Sequence, residues 1–146
     1  MISIPLETQI VVAIQLLLAA FLSMILGWER ERKHREAGLR THMLIGTGSC
    51  LFTALSLYGF ADGDPGRVAS QILPGLGFLG AGAILKEGAN IQGLTTAASI
   101  WLTAAVGMAV ATGAWFLAIC AVLLVWFVLS IMQRIKPELR KQDGNE

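Results

Sequence analysis

Residues 88–133 read GANIQGLTTAASIWLTAAVGMAVATGAWFLAICAVLLVWFVLSIMQ and contain no Asp, Glu, Lys or Arg. The hydrocarbon core of a bilayer is about 30 Å thick and is crossed by roughly 20 helical residues. This stretch is therefore too long for one crossing and predicts two transmembrane helices, which we divide at Ala111-Thr112-Gly113. A soluble helix would carry a polar stripe at helical spacing, and this stretch has no such stripe.

In the rest of the chain, too, long apolar windows alternate with short charged segments. Its 146 residues are 55% hydrophobic and 14% charged, with mean hydropathy +0.66, which is too apolar for an ordinary soluble domain. The 11 Lys and Arg and the 10 Asp and Glu all lie outside five apolar windows. The sequence thus predicts an all-α integral membrane protein, a five-helix transmembrane bundle. The predicted spans are residues 8–27, 41–61, 68–85, 94–112 and 113–133, forming one domain over 1–136 before a short polar tail over 137–146.

Basic residues orient this bundle, because Lys and Arg are retained on the cytoplasmic side of a membrane. With five spans, ten of the 11 basic residues fall on one side and only Arg67 falls on the other. The amino terminus is therefore predicted outside and the carboxyl terminus in the cytoplasm. No basic residue precedes residues 8–27 and no small-residue cleavage site follows them, so we interpret this window as a retained span rather than a signal peptide.

Two short sequences that open predicted spans two and four resemble each other. They are Gly38-Leu39-Arg40-Thr41 and Gly93-Leu94-Thr95-Thr96, and each is preceded by a glutamate near the interface, Glu29 or Glu87. This layout is typical of a parallel two-hairpin repeat, an arrangement known among membrane transport folds. The alternative is a local similarity without duplication.

Polar residues at the predicted cytoplasmic ends of the spans form a candidate functional pocket. Glu29 lies nearest the hydrocarbon edge, where an unpaired carboxylate is costly, and Arg40 is its predicted partner. Thr41 and Thr96 can cap helix amino termini, whose positive dipole end attracts anions. Capping and topology signals are the alternative interpretation. The full set of pocket candidates is Glu29, Arg40, Thr41, His42, Glu87, Thr95 and Thr96.

The third predicted span is rich in small residues. It matches G-x-G-x-x-G at residues 75–80, but no strand–turn–helix unit surrounds the match, which excludes a dinucleotide site. Missing side chains instead let another helix approach closely. Pro74 removes a backbone donor and is expected to kink this span. The predicted helix-packing positions are Gly75, Gly77, Gly80, Ala81 and Gly82, with Gly107 in the fourth span.

Side-chain groupings typical of catalysis or metal binding are missing from the sequence. It offers no nucleophile–base pair, glycine-lysine phosphate loop or carboxylate dyad, so an enzyme is the least expected class and no cofactor or nucleic-acid partner is predicted. Cys50 and Cys120 lie in separate predicted spans without a partnering His, which disfavours a disulfide or a zinc site. Asp62 and Asp64 fit turn chemistry better than a weak divalent-cation site.

Five short motifs occur in order along most of the chain. They are GWERE (27–31), AGLRTH (37–42), GFLGAG (77–82), GLTTAASIW (93–101) and AAVG (104–107). In content and spacing they resemble the MgtC/SapB family of bacterial inner-membrane proteins. The resemblance implies a multi-pass inner-membrane protein associated with adaptation to low magnesium and, in pathogens, with survival inside host phagocytes.

Two departures from the family pattern bear on function. Virulence-type members commonly carry a further cytoplasmic domain, whereas this chain ends soon after Arg134 and looks more like the SapB-type membrane core. Such members also tend to have Asn at the position of Thr95 and Cys at that of Leu102. The leading hypothesis is a non-enzymatic protein that modulates a membrane-protein partner, or acts as a homo-oligomer, under magnesium or acid stress. The alternative is a small-ion, magnesium-related transporter or channel, suggested by the repeat-like hairpins.

Overall fold

A computed structural model describes residues 4–60, 64–87 and 90–142, with the backbone alone over 85–87, at 90 and over 131–142. Apart from one short hairpin, the regular secondary structure of these residues is helical. The helices are α1 (Leu6–Arg32), α2 (Leu39–Tyr58), α3 (Ile72–Gly82), α4 (Leu94–Ala111) and α5 (Trp115–Gln142). A 3-10 turn, Ala69–Gln71, leads into α3, and the antiparallel strands β1 (Leu85–Glu87) and β2 (Asn90–Gln92) join α3 to α4.

The helices follow the apolar windows, but α3 is much shorter than predicted. It has 11 residues, because the chain leaves the helix at Ala83 and enters the β hairpin. Four glycines weaken any longer helix here, since each costs roughly 1 kcal/mol relative to alanine in a helix interior. Pro74 is the third residue of α3, in the first turn of the helix, where its missing N–H is not needed.

Within the described residues, α1 and α4 are long and apolar enough to cross a membrane. A shorter apolar segment, Trp115–Ser130, begins α5. The 20-residue α2 matches them in length, but its sequence includes Arg40 and His42. These lengths suit membrane crossing, whereas α3, at 11 residues, is shorter than the roughly 20 helical residues that a crossing needs.

Helices α1, α2 and α4 make the central bundle, and glycine contacts set how closely they approach. A Cβ atom added at Gly107 would lie 2.2 Å from the Gly46 carbonyl oxygen, so α4 can cross α2 at this distance only with glycine there. A Cβ atom added at Gly46 would lie 1.8 Å from Ser23 Oγ of α1. Around these crossings lies a buried apolar core that includes Leu22, Leu26, Cys50, Val106, Val110 and Val122.

Helices α3 and α5 lie at the edge of this bundle. The α5 face that contains Ala118 and Val122 is buried, while Leu123 is 61% exposed, as expected for a helix that faces lipid on much of its surface. Helix α3 packs on α4, where a Cβ atom at Gly80 would meet Ala97 Cβ at 3.5 Å. The other α3 glycines were expected at close contacts between helices, but a Cβ atom added at each would meet nothing within 4 Å. They are Gly75, Gly77 and Gly82.

In the outer loop, Asp62 lies outside the described residues. The Asp64 carboxylate accepts a hydrogen bond from the Gly66 backbone N–H at 2.9 Å. This is the turn chemistry that the sequence favours for Asp64.

Candidate functional site

A buried polar cluster joins the end of α1 to the start of α4. The side chain of Arg30 is almost fully buried, and its Nη2 donates a hydrogen bond to Thr96 Oγ1. Thr96 Oγ1 in turn donates to Glu36 Oε2 at 2.9 Å. Burying an ionised side chain is costly unless hydrogen bonds and an opposite charge compensate. Thr96 supplies one hydrogen bond and Glu36 a negative charge behind it, while Arg30 Nε is buried without a partner among the described residues. We call these three residues the arginine cluster.

His42 extends the buried polar contacts into α2. Its ring lies fully inside the protein, with Nδ1 2.9 Å from the Gly38 carbonyl oxygen and Nε2 3.1 Å from Ser99 Oγ. Because a carbonyl only accepts, Nδ1 carries the hydrogen in this contact. Ser99 Oγ also lies 2.8 Å from the Thr96 carbonyl, so its single hydrogen goes either to that oxygen or to His42 Nε2. His42 therefore connects α2 to the helix that carries Thr96.

Glu29 has a different partner from the one predicted. Its carboxylate forms a salt bridge with Lys33, one helical turn further along α1, and Lys33 Nζ also donates to the Leu129 carbonyl of α5 at 2.5 Å. The predicted pairing with Arg40 is therefore wrong. Arg40 is exposed at the second residue of α2 and lines a separate cavity, whereas the i,i+4 spacing on α1 already brings a lysine to Glu29.

The predicted threonine caps are also wrong. The residues that precede α2 and α4 are glycines, Gly38 and Gly93, and neither helix start has a side-chain cap from its own N-cap residue. Gly93 has φ +84°, and an added Cβ atom would lie 1.8 Å from the Ala83 carbonyl oxygen, so only glycine fits there. The first N–H of α2, at Leu39, is instead bound by Glu31 Oε2 at 2.8 Å.

The remaining pocket candidates are scattered. Thr41 is half-buried and lines the same cavity as Arg40, whereas Thr95 is exposed beside the buried Thr96. Glu87 lies in β1, and its side chain falls outside the described part of the structure. The structure therefore brings His42 and Thr96 together through Ser99, whereas Glu29 pairs with Lys33 and Arg40 lines a cavity with Thr41.

The electrostatics of the arginine cluster favour an ionised Glu36. A hydrogen bond from its own backbone N–H, and then the bond from Thr96, hold the pKa of the Glu36 carboxyl below its ordinary value. Glu36 is exposed and accepts from Thr96, while the Arg30 guanidinium is buried. The cluster can thus stay charged near neutral pH with the negative group facing water.

The chain matches the model of the MgtC family over residues 16–137. It belongs to the MgtC family. It is 46% identical over 130 residues to the putative magnesium transporter YhiD of Escherichia coli K12, covering 84% of this chain and 60% of that protein. It is 44% identical over 119 residues to protein MgtC of Brucella abortus strain 2308, covering 82% and 49%. No solved structure matches the chain.

A third relative shows how much of an MgtC protein this chain corresponds to. Protein MgtC of Salmonella typhimurium strain LT2 is 42% identical over 112 residues, covering 77% of this chain and 48% of that protein. The chain thus spans about half the length of its MgtC relatives. Family membership and the two long apolar helices together identify a membrane-associated protein.

The MgtC-family motif at residues 27–31 contains a residue that the sequence analysis missed. From the sequence, Arg30 counts only among the basic residues that set topology, and neither Glu36 nor Ser99 is among the predicted site residues. The missed signal is the spacing of Leu22, Leu26 and Arg30, which puts the arginine on the buried face of α1. Within the described residues, no group of three or more His, Cys, Asp or Glu could hold a metal ion.

Proposed function

We propose that this MgtC-family chain is a multi-pass inner-membrane protein that acts by binding a membrane-protein partner or a second copy of itself. Its amino terminus lies outside and its carboxyl terminus lies in the cytoplasm. The apolar helices and the ten-to-one distribution of basic residues support this placement. The setting we propose is adaptation to low magnesium or acid stress, including intracellular survival, as the family resemblance implies. Of the relatives' names, that of the putative magnesium transporter YhiD refers to magnesium.

The observation that carries partner binding is the outward face of α3. Leu73 is 38% exposed, and a Cβ atom at Gly77, one helical turn further along, would meet nothing within 4 Å. Small residues at such a face let a second helix approach closely, and van der Waals packing then drives association within a bilayer. In the central bundle, Gly46 and Gly107 already lie at close contacts between helices of this chain. At Gly77, by contrast, no described residue packs against α3.

Cysteine crosslinking in native membranes tests the proposal. In a Cys120→Ser background, which leaves only the buried Cys50, we would introduce Gly77→Cys and treat membranes with a thiol crosslinker. We expect a discrete higher-mass adduct, either a dimer or a complex with another membrane protein. The matched control is Leu123→Cys on the lipid-facing side of α5, which should give no adduct. Equal or no crosslinking at both positions would contradict the proposal.

A small-ion transporter is the second candidate, and unpaired polar atoms inside the bundle favour it. Among the described residues, Gln15 Oε1, Ser23 Oγ and Thr53 Oγ1 are buried without a hydrogen-bond partner. Such atoms can line a polar path between helices. The buried Arg30 guanidinium beside Thr96 opposes a cation path, because it would repel a divalent ion. Magnesium flux into liposomes that Glu29→Ala or Glu87→Ala abolishes would favour transport over partner binding.

A further inference from the structure

A polar cavity of about 510 Å³ lies beside the amino-terminal end of α2. It is lined in part by Glu31, Arg35, Glu36 and Arg40. Its two carboxylates already accept internal hydrogen bonds, Glu31 from the Leu39 N–H and Glu36 from the Thr96 hydroxyl. Among the described residues, Arg35 and Arg40 form no salt bridge, and both are exposed. The cavity therefore holds two carboxyl groups that are bound within the protein, and the guanidinium groups of Arg35 and Arg40 are its hydrogen-bond donors for an entering anion.

An apolar groove continues from this polar cavity. The adjoining cavity, of about 640 Å³, shares Glu36 and Thr41 with it and is otherwise mostly apolar. That cavity shares Leu44 and Leu79 with a third cavity of about 470 Å³, which separates α2 from α3. The walls are open to the surroundings, since Leu44 is 74% exposed. The three cavities thus make one path that is charged at one end and apolar along its length.

We propose that this path is a binding site for one anionic phospholipid. The headgroup phosphate lies between Arg35 and Arg40, and an acyl chain lies in the groove between α2 and α3. Arginine binds phosphate oxygens through several N–H donors at once, and van der Waals contact between the acyl chain and the groove adds affinity. Cavities of about 300–1,000 Å³ are the usual size of small-molecule sites. The proposal rests on the proposed membrane placement, in which Arg35 and Arg40 lie at the cytoplasmic surface.

The combination of charge and groove favours a lipid over other occupants. A water-soluble phosphate would use Arg35 and Arg40 but gain nothing from the groove between α2 and α3. A transmembrane helix from a second copy could fill the groove but would leave the two guanidinium groups without an anion. A phospholipid satisfies both ends, and the negative surface potential of a cytoplasmic leaflet supplies such lipids there.

Native mass spectrometry of the full chain in detergent, titrated with phosphatidylglycerol, tests the headgroup contact. We expect saturable binding of one lipid per chain, and we expect Arg35→Gln/Arg40→Gln to weaken it by roughly tenfold or more. The matched control is Arg32→Gln, which removes a positive charge at the same end but lines a different cavity. An equal loss in the control would indicate general surface charge and would overturn the site.

Filling the groove tests the acyl-chain contact. Gly75 lines the groove and Gly77 does not, and a Cβ atom at either would meet nothing within 4 Å. We expect Gly75→Leu to reduce phosphatidylglycerol binding at least as much as the double arginine variant, and Gly77→Leu to leave binding unchanged. If Gly75→Leu does not fold, Gly48→Leu fills the same groove from α2, again without a close neighbour.

Two outcomes would overturn the lipid proposal without touching the proposed function. One is unchanged lipid binding in both groove-filling variants. The other is displacement of the lipid by glycerol phosphate at equal concentration, which would mean that the groove contributes nothing. The crosslinking experiment at Gly77→Cys does not measure lipid binding. If lipid fails to bind but the crosslinked adduct still forms, the lipid proposal is wrong and the proposed function stands.

Discussion

Arg30 is the residue on which the contact between α1 and α4 most depends. Its guanidinium is buried and hydrogen-bonded to Thr96, so Arg30→Ala removes a charge-assisted bond and leaves a cavity. We expect the free energy of unfolding to fall by roughly 2–4 kcal/mol. Equilibrium unfolding in mixed micelles measures this, with the exposed Arg32→Ala as the control, which should change stability by less than about 0.5 kcal/mol. Equal effects would show that Arg30 is not part of a buried cluster.

The pairing of Glu29 gives a second prediction at the same scale. Because Glu29 contacts Lys33 and lies apart from Arg40, a double-mutant cycle of Glu29→Ala with Lys33→Ala should show a coupling energy of about 0.5 kcal/mol. The cycle of Glu29→Ala with Arg40→Ala should be additive. Coupling to Arg40 rather than to Lys33 would mean that the loop between α1 and α2 is arranged differently.

Individual site residues could be predicted from the sequence only in part. Thr96 and His42 were found because a polar residue at the start of an apolar span is conspicuous. The Glu29 partner was missed, because Lys33 and Arg40 both fit the rule that a carboxylate at the hydrocarbon edge needs a cation, and the choice depends on how the loop folds. Glu36 was missed because its contact with Thr96 joins residues 60 positions apart.

Among the helices, the glycines of α3 and α4 behave differently and should respond differently to substitution. Gly107→Ala would force a Cβ atom to within 2.2 Å of a backbone oxygen of α2, so we expect it to cost roughly 1–3 kcal/mol. Gly77→Ala adds a Cβ atom in open space and should be neutral or stabilising, because alanine is the better helix former. Folded yield and unfolding in micelles measure both variants. Equal destabilisation would contradict the described crossing of α2 and α4.

The elements show what hydropathy can and cannot predict. Four of the five windows correspond to helices of 18 residues or more, because uninterrupted apolar sequence specifies them. The third window holds a 3-10 turn and an 11-residue helix, and β1 begins at its last residue, since the glycines of this window favour other backbone conformations. Small residues occur both at the buried helix crossing at Gly107 and on the exposed face at Gly77, so their presence in the sequence does not predict which position is buried.

On the scale of the whole molecule, the two predicted hairpins are unequal. Helix α1 has 27 residues and α3 has 11, while α2 and α4 have 20 and 18. The arginine cluster links the first hairpin to the start of α4, so the two halves meet at the same end of the bundle. Most of the basic residues of the sequence belong to this end of the bundle. We propose that this end faces the cytoplasm.

Reporter fusions along the chain test this placement of the whole molecule most directly. Fusions after Arg35, Glu87 and Glu146 should report the cytoplasm, and a fusion after Gly63 should report the outside. The alternative in which only α1 and α4 cross the membrane predicts the opposite location for Gly63 and Glu146. A periplasmic signal at Glu146 would contradict the five-span account.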